Sequence, residues 1–216
     1  MTLRDFFTPP AAVLALCLLA ATFAGFFLVP ADTILPVHWG ISGEADAFMP
    51  RDAALLQLPA IMLGVVALIW FLTRLSASER VAGARHGLRV VVPGILALGL
   101  VIQCAVILIG MGQEVDMVRI IVLAIGVLFV LLGNVLPKSQ PNAVSGVRLP
   151  WTIANPANWQ ATNRLVGWLM LLGGLAMVIA ALLSSNPQAL LAVVAVSVLI
   201  PLLIGGLYSY RLSRGH

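Results

Sequence analysis

"VRIIVLAIGVLFVLLGNVLPKSQPNAVSGVRLPWTIANPANWQATNRLVGWLMLLGGLAMVIAALL" (residues 118–183) decides the fold. Two apolar runs, 118–136 and 165–183, flank a polar segment rich in Pro and Asn that carries two tryptophans. Each run has about 20 residues, enough to cross the hydrocarbon core of a bilayer as a helix. Similar runs recur at 9–29, 54–73, 90–111 and 188–208. The chain of 216 residues is 61% hydrophobic and only 9% charged, against about 25% charged in ordinary soluble domains. The expected fold is therefore an all-α polytopic membrane protein with six transmembrane helices. The small residues of "ATFAG" (21–25) would suit signal-peptide cleavage. The first run is longer than a usual signal core, however, and Arg4 is offset by Asp5, so an uncleaved first helix is expected.

Charge sets the expected orientation. With the amino terminus inside, ten of the twelve Lys and Arg fall inside: Arg4, Arg74, Arg80, Arg85, Arg89, Lys138, Arg148, Arg164, Arg211 and Arg214. Arg51 and Arg119 fall outside, with six of the eight acids. This positive-inside asymmetry predicts that both termini are cytoplasmic. The long loop 30–53 then faces out and the long loop 137–164 faces the cytoplasm. The chain divides into an amino-terminal three-helix half (1–111) and a second three-helix half (112–216). The basic stretch 74–89 is expected along the inner surface, against anionic lipid.

The basic balance follows topology and points to no direct nucleic-acid partner. Cys17 and Cys104 lie inside apolar runs and are expected as small buried hydrophobes. No zinc-type spacing, nucleophile elbow, His-Glu-x-x-His helix or mid-membrane acid pair is present, so neither an enzyme nor a cofactor is expected. Of the mid-span polar residues, Gln103 is expected to make an interhelical hydrogen bond. The glycine-rich pieces 173–177 and 204–208 are expected at close helix contacts.

Two loops carry the candidate site. In "LPVHWGISGEADAFMPRD" (35–52), His38, Trp39, Glu44 and Asp46 are the groups suited to an external ligand, and the prolines set turns. His38 with Glu44 and Asp46 is too common a loop composition to predict a metal. A polar cap that pairs with Arg51 or meets an external ligand is expected instead, and Trp39 suits a membrane interface. In the inner loop, Asn134, Asn142, Arg148, Trp151, Trp159 and Arg164 are candidates for partner binding or for structure. Trp151, Trp159 and Trp168 would form an aromatic belt. Asn155 reads as an N-cap with Pro156 at the first helical position, leading through Trp159 into helix five.

The inner segment closely resembles the SdpI family. The resemblance rests on Gly133, Asn134, Pro137, Asn142, Gly146, Val147, Arg148, Pro150, Trp151, Thr152, Trp159, Asn163, Arg164 and Gly167, in order and spacing. Pro36, His38, Trp39, Gly43 and Asp46 are similar to a domain of unknown function that often precedes the family's signature. The resemblance implies an integral membrane immunity protein of the bacterial inner membrane, protecting against a secreted killing peptide. It also implies a signalling receptor that captures a cytoplasmic transcriptional repressor. It carries over no catalytic residues.

The loop positions suggest an inverted repeat of three plus three helices, with "LP" and "SG" recurring at 35–36 and 42–43, and at 136–137 and 145–146. Such repeats are a transporter device. A peptide or amphiphile transporter or flippase, and a scaffold recruiting a cytoplasmic regulator, are the alternative functions. The spans lack the charged midplane residues of a proton or ion path.

Overall fold

A computed structural model describes residues 8–75, 83–142 and 145–214. Six helices are long and apolar enough to cross a membrane. In chain order they are α1 (Pro9–Leu28), α2 (Arg51–Leu75), α3 (Arg85–Gly110), α4 (Met117–Val135), α6 (Pro156–Leu183) and α7 (Pro187–Arg214). A short α5 (Pro150–Ala154) lies in the inner loop, after a 3-10 turn at Leu136–Lys138. The stretch 76–82, which holds Arg80 of the basic inner connection, lies outside the described residues.

Phe23, Phe27, Leu183 and many other large apolar side chains lie exposed around the bundle. Water would not tolerate so continuous an apolar surface, and lipid does. Cys17 and Cys104 belong to this outer surface, which corrects the expectation that they are buried. A small apolar thiol suits lipid as well as a protein interior.

Lipid tails are as apolar as leucine, so helices gain by close approach and hydrogen bonding rather than by burial alone. The α4–α6 pair shows the first. Gly126 faces Gly174, and Gly133 faces Gly167; a Cβ on Gly133 would stand 2.6 Å from the Gly167 carbonyl, and one on Gly174 the same distance from the Gly126 carbonyl. Both helices thus place glycines one heptad apart on a shared seam. Of the sequence-predicted glycines, Gly173, Gly174 and Gly205 meet neighbouring helices, whereas Gly206 faces open space.

Gln103, fully buried, shows the second. Its Nε2 donates to Thr22 Oγ1 (3.2 Å) and to the Leu55 carbonyl (3.0 Å). Pro59 lies inside α2 and has no N–H, so Leu55, four residues earlier, lacks its usual helical donor. Gln103 supplies one and ties α1, α2 and α3 together.

The loop 30–53, read from the sequence as a long loop with proline-set turns, contains an antiparallel β-hairpin: β1 (Ile34–Trp39) and β2 (Ala45–Pro50). Register shifts around His38 leave Val37 unpaired. Leu35 is buried and Met49 half-buried in the apolar cluster at the adjoining ends of α1–α3, while Ile34 and Phe48 are exposed. Trp39 packs against apolar clusters of both halves. At the tip, a Cβ on Gly43 would meet Pro187 at 2.7 Å. The hairpin straps the first half onto the start of α7.

Candidate functional site

The hairpin and the inner loop occupy opposite ends of the bundle, and each is built differently. His38 Nδ1 lies 2.5 Å from Asp46 Oδ1, with both side chains exposed. Around this pair the outward face carries Ile34 (66% exposed), Ile41 (75%) and Phe48 (58%). Glu44 lies exposed in the turn, where its carbonyl accepts from the Gly40 N–H (2.9 Å). Trp39 is half-buried in the strap rather than free at an interface.

Arg51 does not join this group, contrary to expectation. Its Nε pairs with Asp52 (2.7 Å), and its Nη1 donates to the carbonyls of Phe26 (3.2 Å) and Val29 (3.0 Å) at the end of α1. Arg119 does the same at the end of α6, donating to the carbonyls of Ala181 and Leu182. A helix C-terminus presents unpaired carbonyls and partial negative charge. Both arginines placed outside by the charge count are consumed in this way.

The inner loop is a compact hydrogen-bonded body. Asn155 caps α6, accepting from the N–H groups of Ala157 (2.9 Å) and Asn158 (3.2 Å). Helix α6 therefore begins nine residues before the apolar run and has 28 residues, about 42 Å at helical rise. Its first turns stand beyond the hydrocarbon core. Trp159 is fully buried and donates from Nε1 to the Ser139 carbonyl (3.1 Å), which removes it from the expected aromatic belt. Trp168 is exposed, and Trp151 is half-buried, donating to Ser209 Oγ (3.1 Å) and stacking edge-on to Tyr210.

Asn163 Oδ1 accepts from the Val147 N–H (2.8 Å), and its Nδ2 donates to the Trp159 carbonyl (3.0 Å). Gly146 (φ 96°) sits where a Cβ would strike Asn163 and the Trp159 ring, so only glycine fits the turn. Asn142 is buried and holds the neighbouring turn, accepting from the Ser145 N–H (2.8 Å) and donating to the Gln140 carbonyl (2.8 Å). Asn134, Arg148 and Arg164 are exposed. Asn158 and Ser209 went unremarked as site residues; Asn158 Nδ2 donates to the Ser209 carbonyl (2.9 Å), locking the loop to the inner end of α7. Only the local pattern of small polar residues marks them, since their partners are far apart in sequence.

Residues 138–209, which hold the inner loop, α5, α6 and most of α7, match the SdpI/YfhL protein family. The chain carries an SdpI/YfhL region. Residues 13–63, with most of α1, the hairpin and the start of α2, match DUF1648, a domain of unknown function. The Immunity protein SdpI of Bacillus subtilis (strain 168) is 27% identical over 177 residues, covering 82% of each chain. No solved structure matches the chain. With its six spans, the protein is a multi-pass bacterial membrane protein. The SdpI/YfhL region ends at Ser209, the residue that anchors Asn158 and Trp151.

Proposed function

We propose that this protein is a membrane immunity protein that protects its cell from a secreted antimicrobial peptide. The observation that carries the reading is the similarity to the Immunity protein SdpI of Bacillus subtilis along 82% of both chains. The peptide meets the outward face of the hairpin. Its cationic groups meet Asp46 and Glu44, and its apolar face meets Ile34, Ile41 and Phe48. His38 orients Asp46. The half-buried position of Trp39 makes that residue a strut of the hairpin rather than the ligand's first contact.

The proposal includes cytoplasmic termini, supported by the distribution of Lys and Arg. It also includes a non-catalytic, receptor-like output, in which the inner loop presents Arg148 and the exposed Ile153 to a cytoplasmic repressor. The inverted repeat gains support from the loops. Gly43 packs at the start of α7, and Ser145, next to Gly146, at the start of α3, where a Cβ on Gly87 would meet Ser145 Oγ at 3.2 Å. Both glycines have positive φ, 84° and 96°. Each half's long loop thus latches the third helix of the other half. Transport and a ligand-free scaffold gain no comparable support. Expression in a peptide-sensitive strain, scored as survival against peptide dose, tests the reading. Protection is expected, and sensitivity equal to the empty vector counts against it.

A further inference from the structure

A groove of about 640 Å³ runs along the inner part of α6 beside Tyr208 of α7. Ala157 and Ala161 line it, one helical turn apart, and Arg164 and Trp168 follow on the same side. Trp168 is 59% exposed and Tyr208 38% exposed, as suits amphipathic rings at the level of lipid headgroups. Arg164 is exposed, and the ion pairs among the described residues are His38–Asp46 and Arg51–Asp52, both at the other end of the bundle. Gln160, which also lines the groove, donates to the Pro137 carbonyl (3.4 Å). Arg211 stands three residues beyond Tyr208, a spacing that puts it on the same helix face. No carboxylate lines the groove.

We propose that this groove binds the phosphate of an anionic phospholipid headgroup. A planar guanidinium offers two parallel N–H donors that match phosphate oxygens. Ala157 and Ala161, on the water side of Arg164, leave room for the polar substituent of the headgroup, and the indole of Trp168, on the membrane side, covers the glycerol and upper acyl chain. The combination of a free cation above two interfacial aromatics selects a lipid over a free anion, because an inorganic phosphate would use only the arginine. Arg51 and Arg119 cannot serve in this way, since helix carbonyls occupy them.

The test is native mass spectrometry of the full chain released from nanodiscs that mix phosphatidylglycerol and phosphatidylcholine in equal amounts. The wild type is expected to retain phosphatidylglycerol preferentially. Arg164→Gln is expected to lower that preference about fivefold, the factor that one surface cation contributes to anionic-lipid attraction. Trp168→Leu is expected to lower total retained lipid. Arg74→Gln, which removes a cation of the same membrane face outside the groove, is expected to lower the preference by a smaller factor than Arg164→Gln. Millimolar inorganic phosphate or glycerol phosphate is expected not to displace the lipid. Equal retention of the two lipids by the wild type would overturn the proposal. So would equal losses in Arg164→Gln and Arg74→Gln, which would mean surface charge alone, or displacement by free phosphate.

Discussion

Trp159 and Arg148 are separated by eleven positions in one loop and have opposite surroundings. Trp159 is sealed beneath Gly146 and joined to Ser139, whereas Arg148 is exposed. Trp159→Phe keeps most of the ring but leaves the Ser139 carbonyl without its donor, at an expected cost of about 1–3 kcal/mol. The check is the unfolding midpoint of the purified protein in detergent. Arg148→Ala is expected to leave that midpoint unchanged while reducing any signalling output. Loss of stability equal to that of Trp159→Phe would make Arg148 structural. At this scale, local chemistry was legible in the sequence and distant chemistry was not. The Asn155 cap depends on the next three residues, and Asn-Pro announces it. Asn158 is decided by Ser209, which lies 51 residues away, and nothing in its neighbourhood names that partner. Gln103 was readable as a buried donor, but its role for Pro59 needed the packing of α3 on α2.

The elements themselves were largely readable, because about 20 apolar residues leave few alternatives to a spanning helix. Helix α6 starts at Pro156, where Asn155 and Pro156 predict it, nine residues ahead of the apolar run, because polar residues can continue a helix above the hydrocarbon core. One misreading has a physical cause. The hairpin was hidden by Pro36 and Pro50, which disfavour central strands but are tolerated where both strands are edges. The unpaired Val37 also breaks the alternation that marks a strand. The α4–α6 seam yields a sharp expectation. Gly133→Val would force a side chain into the backbone of α6, where a single Cβ already falls 2.6 Å from the Gly167 carbonyl and the Leu171 nitrogen. Destabilisation of about 3 kcal/mol is expected, toward the upper range of overpacking effects. Gly206→Ala, on open space, is expected to be neutral or slightly stabilising, because alanine leaves the unfolded chain less conformational entropy to lose. Thermal unfolding of the two variants side by side checks the contrast. Equal behaviour would mean that the glycine seam contributes little.

At the scale of the molecule, two latches join the halves of a six-span bundle. Single cysteines at Ile41 and Gln140, both exposed, placed in a chain with Cys17 and Cys104 replaced by Ala, are expected to label from opposite faces of intact cells. Ile41→Cys should react from outside, and Gln140→Cys only after permeabilisation. The asymmetry of Lys and Arg is what predicts this orientation. The exchange of latches between the halves was not legible in the sequence, because only folding brings Gly43 to Pro187 and Ser145 to Gly87. The central claim is protection through the outward face of the hairpin, and survival against killing-peptide dose tests it most directly. The variant to compare with wild type carries Ile41→Ser, Phe48→Ser and Asp46→Asn, with membrane abundance measured in parallel. An exposed carboxylate contact alone is worth about 1 kcal/mol or less, so most of the expected loss comes from the two apolar side chains. At equal abundance, the account predicts that the triple variant dies at peptide doses at least tenfold lower, about 1.4 kcal/mol of lost binding. Survival equal to wild type at every dose would contradict it.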